Sequence, residues 1–116
     1  MSVRILHVAY DRGLLETRDL MLKARGYAVT SALGNQQAMA FSADDLTRFD
    51  AAVIGFSSTH ATRSAMLHWF KSKRPELSVV VLQSHQFEKF PQADCVNTPE
   101  DPAVWLAGVA HCAQKH

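Results

Sequence analysis

Charge of one sign is missing from this chain: twelve Lys and Arg stand against eleven Asp and Glu, a formal balance of +1. Proteins that neutralise nucleic-acid phosphates need a clear basic surplus, so no nucleic-acid partner is expected. Long apolar runs are missing too. None approaches the roughly 20 residues of a membrane span, and no apolar leader follows Met1, so the expectation is a soluble, cytoplasmic protein with no membrane partner. Cysteine is scarce, with only Cys95 and Cys112 present and no C-x-x-C pair. Both read as reduced structural thiols. Six histidines lie scattered, without H-E-x-x-H or any other ligand spacing, so neither a metal nor another cofactor is expected. Glycine-rich phosphate loops are also lacking. Asp11-Arg12-Gly13-Leu14-Leu15 offers one glycine where a dinucleotide fingerprint needs three.

What is present is enough apolar sequence for a core: 47% of 116 residues, the length of one domain. Val3–Val8 is rich in β-branched and apolar residues and stops at Asp11-Arg12-Gly13, which predicts a first strand. A helix follows over Leu14–Arg25, with Leu14, Leu15, Met21 and Leu22 on its apolar side, Glu16, Arg18, Asp19 and Lys23 between them, and Gly26 as its stop. Tyr27–Leu33 predicts a second strand closed by Gly34-Asn35, and Gln36–Phe41 a short helix. The continuous apolar run within Asp50–Phe56 suits a central strand covered on both faces. In His60–Lys73, Ala61, Ala65 and Trp69 repeat at helical spacing beside Met66 and Phe70, and Arg63, Lys71 and Lys73 are expected to face outward. Leu77–Leu82 has the strongest strand composition, Asp94–Asn97 a weaker one. Asp101-Pro102 opens a last helix with Trp105, Val109 and Cys112 on one stripe. The alternation predicts an α/β fold: a five-stranded, doubly wound parallel sheet in the order 2-1-3-4-5, flavodoxin-like, with the helix between the fourth and fifth strands short or absent.

Five stretches in order resemble the receiver domains of two-component response regulators, over nearly the whole chain. They are Arg4-Ile5-Leu6-His7-Val8 with Asp11; Lys23 to Val29; Phe49 to Ile54; Pro75 to Leu82; and Ala93-Asp94 to Thr98-Pro99. The resemblance implies a signalling module in which an aspartate at the end of the third strand is phosphorylated. It further implies an acidic pair holding magnesium after the first strand, a hydroxyl residue after the fourth and a lysine after the fifth. Those positions fall here on Ala9 and Tyr10, Gly55, Gln83 and Thr98, none of which has the required side chain. Asp11 lies one place beyond the acidic pair. A glycine has no carboxylate to phosphorylate, and Ala9 supplies no hard oxygen for magnesium. The expectation is therefore a pseudo-receiver: not an enzyme, not phosphorylated at the usual position, and engaged with a protein partner or with a second copy through the last helix and strand.

Two surfaces compete for that role. The face that receivers use adjoins the fourth to fifth strand connection, and His85–Gln92 is only eight residues long, too short for a full helix with its connections. Phe87 and Phe90, with Trp105, form a candidate exposed aromatic patch; the plainer reading folds the phenylalanines back over a strand edge. The alternative function is a small-ligand or anion site in the crevice at the carboxyl ends of the strands, where Asp11, Ser57, Ser58, Thr59, His60, Ser84 and His85 are expected. Ser57-Ser58-Thr59 with His60 would offer hydroxyls and amides to an anion, against ordinary N-capping by Ser58 or Thr59. Asp11 with His60 and His85 as metal ligands, or a serine and histidine as a catalytic pair, finds no supporting local motif.

Overall fold

The computed structural model describes residues 3–83, 88–99 and 101–113. Its elements are β1 (Arg4–Ala9), α1 (Arg12–Ala24), β2 (Ala28–Leu33), α2 (Gly34–Ala38), α3 (Ala43–Leu46), β3 (Ala51–Ile54), α4 (His60–Lys73), β4 (Ser78–Leu82), β5 (Cys95–Asn97) and α5 (Pro102–Ala113). The strands form one parallel sheet in the order β2-β1-β3-β4-β5, as the alternation predicts. Between β4 and β5 the described residues form no helix.

Both faces of the sheet are covered, so β3 and β4 are buried at every position. Leu6, Val8, Ala52, Ile54, Val79 and Val81 point to the face covered by α2, α3 and α4. Ile5, Ala51, Val53, Val80 and Leu82 point to the other, under α1 and α5. Alternation along each strand thus splits the core into two clusters on either side of one sheet. The local stops work as the residue types require. Gly26 takes φ +89 past the end of α1, and the Gly26 and Tyr27 amides return to the Lys23 and Leu22 carbonyls, closing a Schellman motif. Asp101 caps α5 through the Ala103 amide at 3.0 Å.

Three local expectations change. The predicted Gln36–Phe41 helix lies earlier, at Gly34–Ala38, and an additional turn of helix, α3, follows. Ser42 and Asp45 nucleate that turn as a reciprocal capping box, each side chain accepting from the other's backbone amide at 3.1 and 3.0 Å. In α4 the buried stripe is Arg63, Met66, Leu67 and Phe70, while Ala61 and Ala65 are exposed. Arg63 therefore points inward, 1% exposed, because the helix turns its larger apolar residues to the sheet and Arg63 shares their i, i+3, i+4, i+7 face. Lys71 is half-buried as well. Its ammonium donates to the Leu77 carbonyl and to Asp94, both at 2.7 Å, tying α4 to the start of β4 and to the residue before β5.

Candidate functional site

The five positions that the receiver resemblance singles out stand at the carboxyl edge of the sheet. Ala9 ends β1 and Tyr10 follows it; Gly55, Gln83 and Thr98 come directly after β3, β4 and β5. Backbone bonds hold them in place: the Gly55 amide donates to the Val8 carbonyl and the Gln83 amide to the Asn97 carbonyl, both at 2.8 Å. Tyr10 donates its phenol to Asn35 Oδ1 at 2.6 Å, and Asn35 in turn donates to the Thr62 carbonyl. Burial pushes the Tyr10 phenol well above its ordinary range, with only partial relief from Arg63. It is a neutral strut, not an anionic ligand. Asp11 is the N-cap of α1, accepting from the Leu14 amide at 3.0 Å.

A side chain that the helical pattern passed over dominates this edge. Arg18 follows Leu14 by four residues and precedes Leu22 by four, so α1 carries it on the face turned to the sheet. It is 4% exposed, and its Nη1 has no hydrogen-bond partner among the described residues. A Cβ built on Gly55 would lie 2.6 Å from that Nη1 and 3.2 Å from the Val8 carbonyl oxygen, so the guanidinium occupies the space a side chain at 55 would enter. Its Cζ stands 5.0 Å from the centre of the Phe56 ring. Burial lowers the Arg18 guanidinium to about 10, against the pull of Asp11, which leaves it charged at neutral pH. The same cation helps burial push His7, beside it on β1, down to about 4, with Asp19 opposing. Magnesium does not fit this arrangement: Ala9 and Gly55 contribute no oxygen side chain, the Tyr10 phenol is engaged, and a fixed cation abuts Gly55. Among the described residues no three His, Cys, Asp or Glu gather closely enough to hold a metal.

Arg18 is also part of the wall of a groove of about 390 Å³ between α1 and the start of α5. Leu14, Met21, Phe56, Pro99, Pro102 and Trp105 supply its apolar surface, and the Thr17 hydroxyl stands with Arg18 as the polar part. Such a volume accommodates a small organic molecule.

On the opposite side of the edge, the predicted anion residues take structural roles. Thr59 is the N-cap of α4, accepting from the Thr62 amide at 3.1 Å. The Ser58 amide donates to the Phe56 carbonyl at 2.8 Å, and Ser57 is exposed. His60 turns away from these hydroxyls: its Nε2 bonds the Lys89 carbonyl at 2.7 Å and its ring lies 4.7 Å from Phe90. Beneath it, Arg63 donates to the Ser58 carbonyl at 3.1 Å and to Glu88 Oε1 at 3.0 Å, with a second bond from Nη2 to Glu88 Oε2. This forked pair pins the chain leading to β5 against α4.

The aromatic patch is not assembled. Phe90, 5% exposed, packs into the cluster under α4, and Trp105, 2% exposed, into the cluster under α5, on opposite faces of the sheet. Phe90 is held there by the Arg63 guanidinium, 5.2 Å from its ring centre, and by His60. Phe87, Ser84 and His85 lie outside the described residues. Cys95 and Cys112 meet across β5 and α5 without a disulfide, with their sulfurs 2.6 Å apart.

No protein-family model matches the chain, and no curated protein matches it either. Solved structures do. A receiver domain protein from Clostridium thermocellum superposes with a TM-score of 0.84 at 13% identity, covering 97% of this chain and 95% of its own. The CheY-like receiver domain protein from Methanospirillum hungatei gives 0.80 at 17%, covering 99% and 96%. The response regulator TrrA from Thermotoga maritima, solved with magnesium and beryllofluoride, gives 0.79 at 14%, covering 96% and 98%. The chain has the receiver fold. No helix among its described residues is long and apolar enough to cross a membrane.

Proposed function

We propose that this chain is a receiver-like regulatory domain that acts by protein–protein interaction, without catalysis and without phosphorylation at the usual position. One observation carries the reading: the residue after β3 is Gly55, and the Arg18 guanidinium fills the space beside it. Aspartyl phosphate has no acceptor oxygen there. Catalysis by a serine and a histidine has little support, since among the described residues the hydroxyl that meets His60 is Ser64, one turn along α4, at a long 3.4 Å. Phe90 and Trp105 are buried, so they do not supply the partner surface. The edge strand β5 with α5, where Val96 and Val104 are exposed, is the place for a second copy to pair.

The test is incubation with acetyl phosphate and millimolar magnesium, followed by intact mass and by a thermal melt against a salt control of equal ionic strength. The expected result is no phosphoryl adduct and no magnesium-specific gain in stability. A stoichiometric, hydroxylamine-labile adduct overturns the reading. Sedimentation at rising concentration, with Val104→Glu as the comparison, tests pairing through α5.

A further inference from the structure

The groove beside Arg18 is a built recognition site, and we propose that it binds a small organic monocarboxylate with a flat apolar body. Two features specify the ligand. Its floor and sides are apolar and include the Phe56 and Trp105 rings, so the body must be apolar, and a flat one has two aromatic side chains to meet. Among its described lining residues the charged one is Arg18, 4% exposed, whose guanidinium feels the attraction of Asp11 but has no hydrogen-bond partner at Nη1, so it keeps capacity to bond an anion. A carboxylate meets a guanidinium fork with two parallel hydrogen bonds and brings a single negative charge. A phosphate dianion would bring a second negative charge beside Asp11 into a wall whose other polar group, among the described lining residues, is the Thr17 hydroxyl. The groove lies at the carboxyl edge of the sheet, where this architecture places ligands, between α1, Phe56 just past β3, Pro99 just past β5 and the start of α5.

This proposal does not depend on the docking reading, because it predicts direct binding whether or not a protein partner exists. A ligand seated between α1 and α5 would touch both helices and so bias the same edge that is placed for pairing.

The experiment is a titration of ¹⁵N-labelled protein with phenylacetate, followed by the indole resonance of Trp105 and the amides of Thr17, Arg18 and Phe56. Acetate, 2-phenylethanol and inorganic phosphate serve as comparison ligands. The expected result is saturable shifts confined to the groove, with each comparison ligand weaker by about tenfold or more. Arg18→Met, verified as folded by its melt, should lose phenylacetate binding by a similar factor. Thr17→Glu changes an exposed helix position, where folding is insensitive, and sets a negative charge at the groove; it should weaken phenylacetate several-fold and leave 2-phenylethanol unchanged. Equal binding of 2-phenylethanol and phenylacetate to the native protein overturns the proposal. So does full affinity in Arg18→Met, the absence of saturable shifts, or binding of a peptide carboxyl terminus where phenylacetate fails.

Discussion

Replacing Arg18 by methionine should make the protein more stable. The methionine side chain is apolar and adaptable enough to lie along the same path between Leu14 and Leu22, and it removes a charge that is 4% exposed. Burial lowers the Arg18 guanidinium to about 10, and at about 1.4 kcal/mol per pH unit that depression corresponds to about 3 kcal/mol of folding stability lost by keeping the cation. The attraction of Asp11 is already included in that balance. Contact with the Phe56 ring gives back about 1 kcal/mol. The net gain expected for Arg18→Met is about 2 kcal/mol, which at an m-value of ~1–3 kcal/mol/M moves the urea midpoint up by about 1 M. Far-UV circular dichroism in urea at pH 7 reads it directly. Arginine stays charged in both folded and unfolded chains between pH 5 and 8, but its removal also relieves part of the depression of His7, so the gain should be somewhat larger at pH 5 than at pH 8. A midpoint that falls would refute the reasoning, since it would mean the guanidinium has partners that stabilise the fold. A stabilised variant that no longer takes up phenylacetate would show a recognition group held at the expense of stability.

Arg63→Met should have the opposite sign, a loss of about 3–5 kcal/mol, because it takes the guanidinium from a buried, forked pair with Glu88; Glu88→Gln keeps an acceptor and should lose less. Urea midpoints of the two variants measure both, and equal losses would contradict the assignment. For His7, held down to about 4 by burial first, the unfolded chain takes up a proton that the folded one refuses. Stability should therefore fall by up to about 3 kcal/mol as pH drops from about 6.5 to 4, and His7→Asn should flatten that slope in unfolding curves taken across the interval. Cys95, half-buried, should react with a maleimide before buried Cys112, as peptide mass mapping of partly labelled native protein would show; the reverse order would place the wrong thiol under α5.

Local pattern was enough for the sheet. Apolar runs such as Ala51–Ile54 and Ser78–Leu82 are covered on both faces only in a parallel α/β sandwich, and short connections leave few strand orders to choose from. The resemblance to receiver domains is what placed Ala9, Tyr10, Gly55, Gln83 and Thr98 at the strand ends. Gly26 and Asp101 acted as stop and cap because those roles depend on one residue and its immediate neighbours. The capping box at Ser42 and Asp45 was passed over, because Asp45 stands where the usual signature has Glu or Gln and the turn is too short to show a helical period.

Tertiary structure alone decided which way the charged residues of α1 and α4 face. Arg18 and Arg63 lie on helix stripes that are otherwise apolar, and a helix has one orientation against the sheet, set by the sum of its apolar contacts and not by any single side chain. Once Leu22, or Met66 and Phe70, are seated, the arginine on the same face is carried inward whatever its charge. Arg63 then finds Glu88, 25 residues along the chain, and Arg18 meets the empty side of Gly55. Neither meeting has a sequence spacing that announces it, because the partners come together only when β3 and the approach to β5 are laid beside their helices. Phe90 and Trp105 were separated by the same event: each follows its own element to the nearer face, and the sheet stands between them.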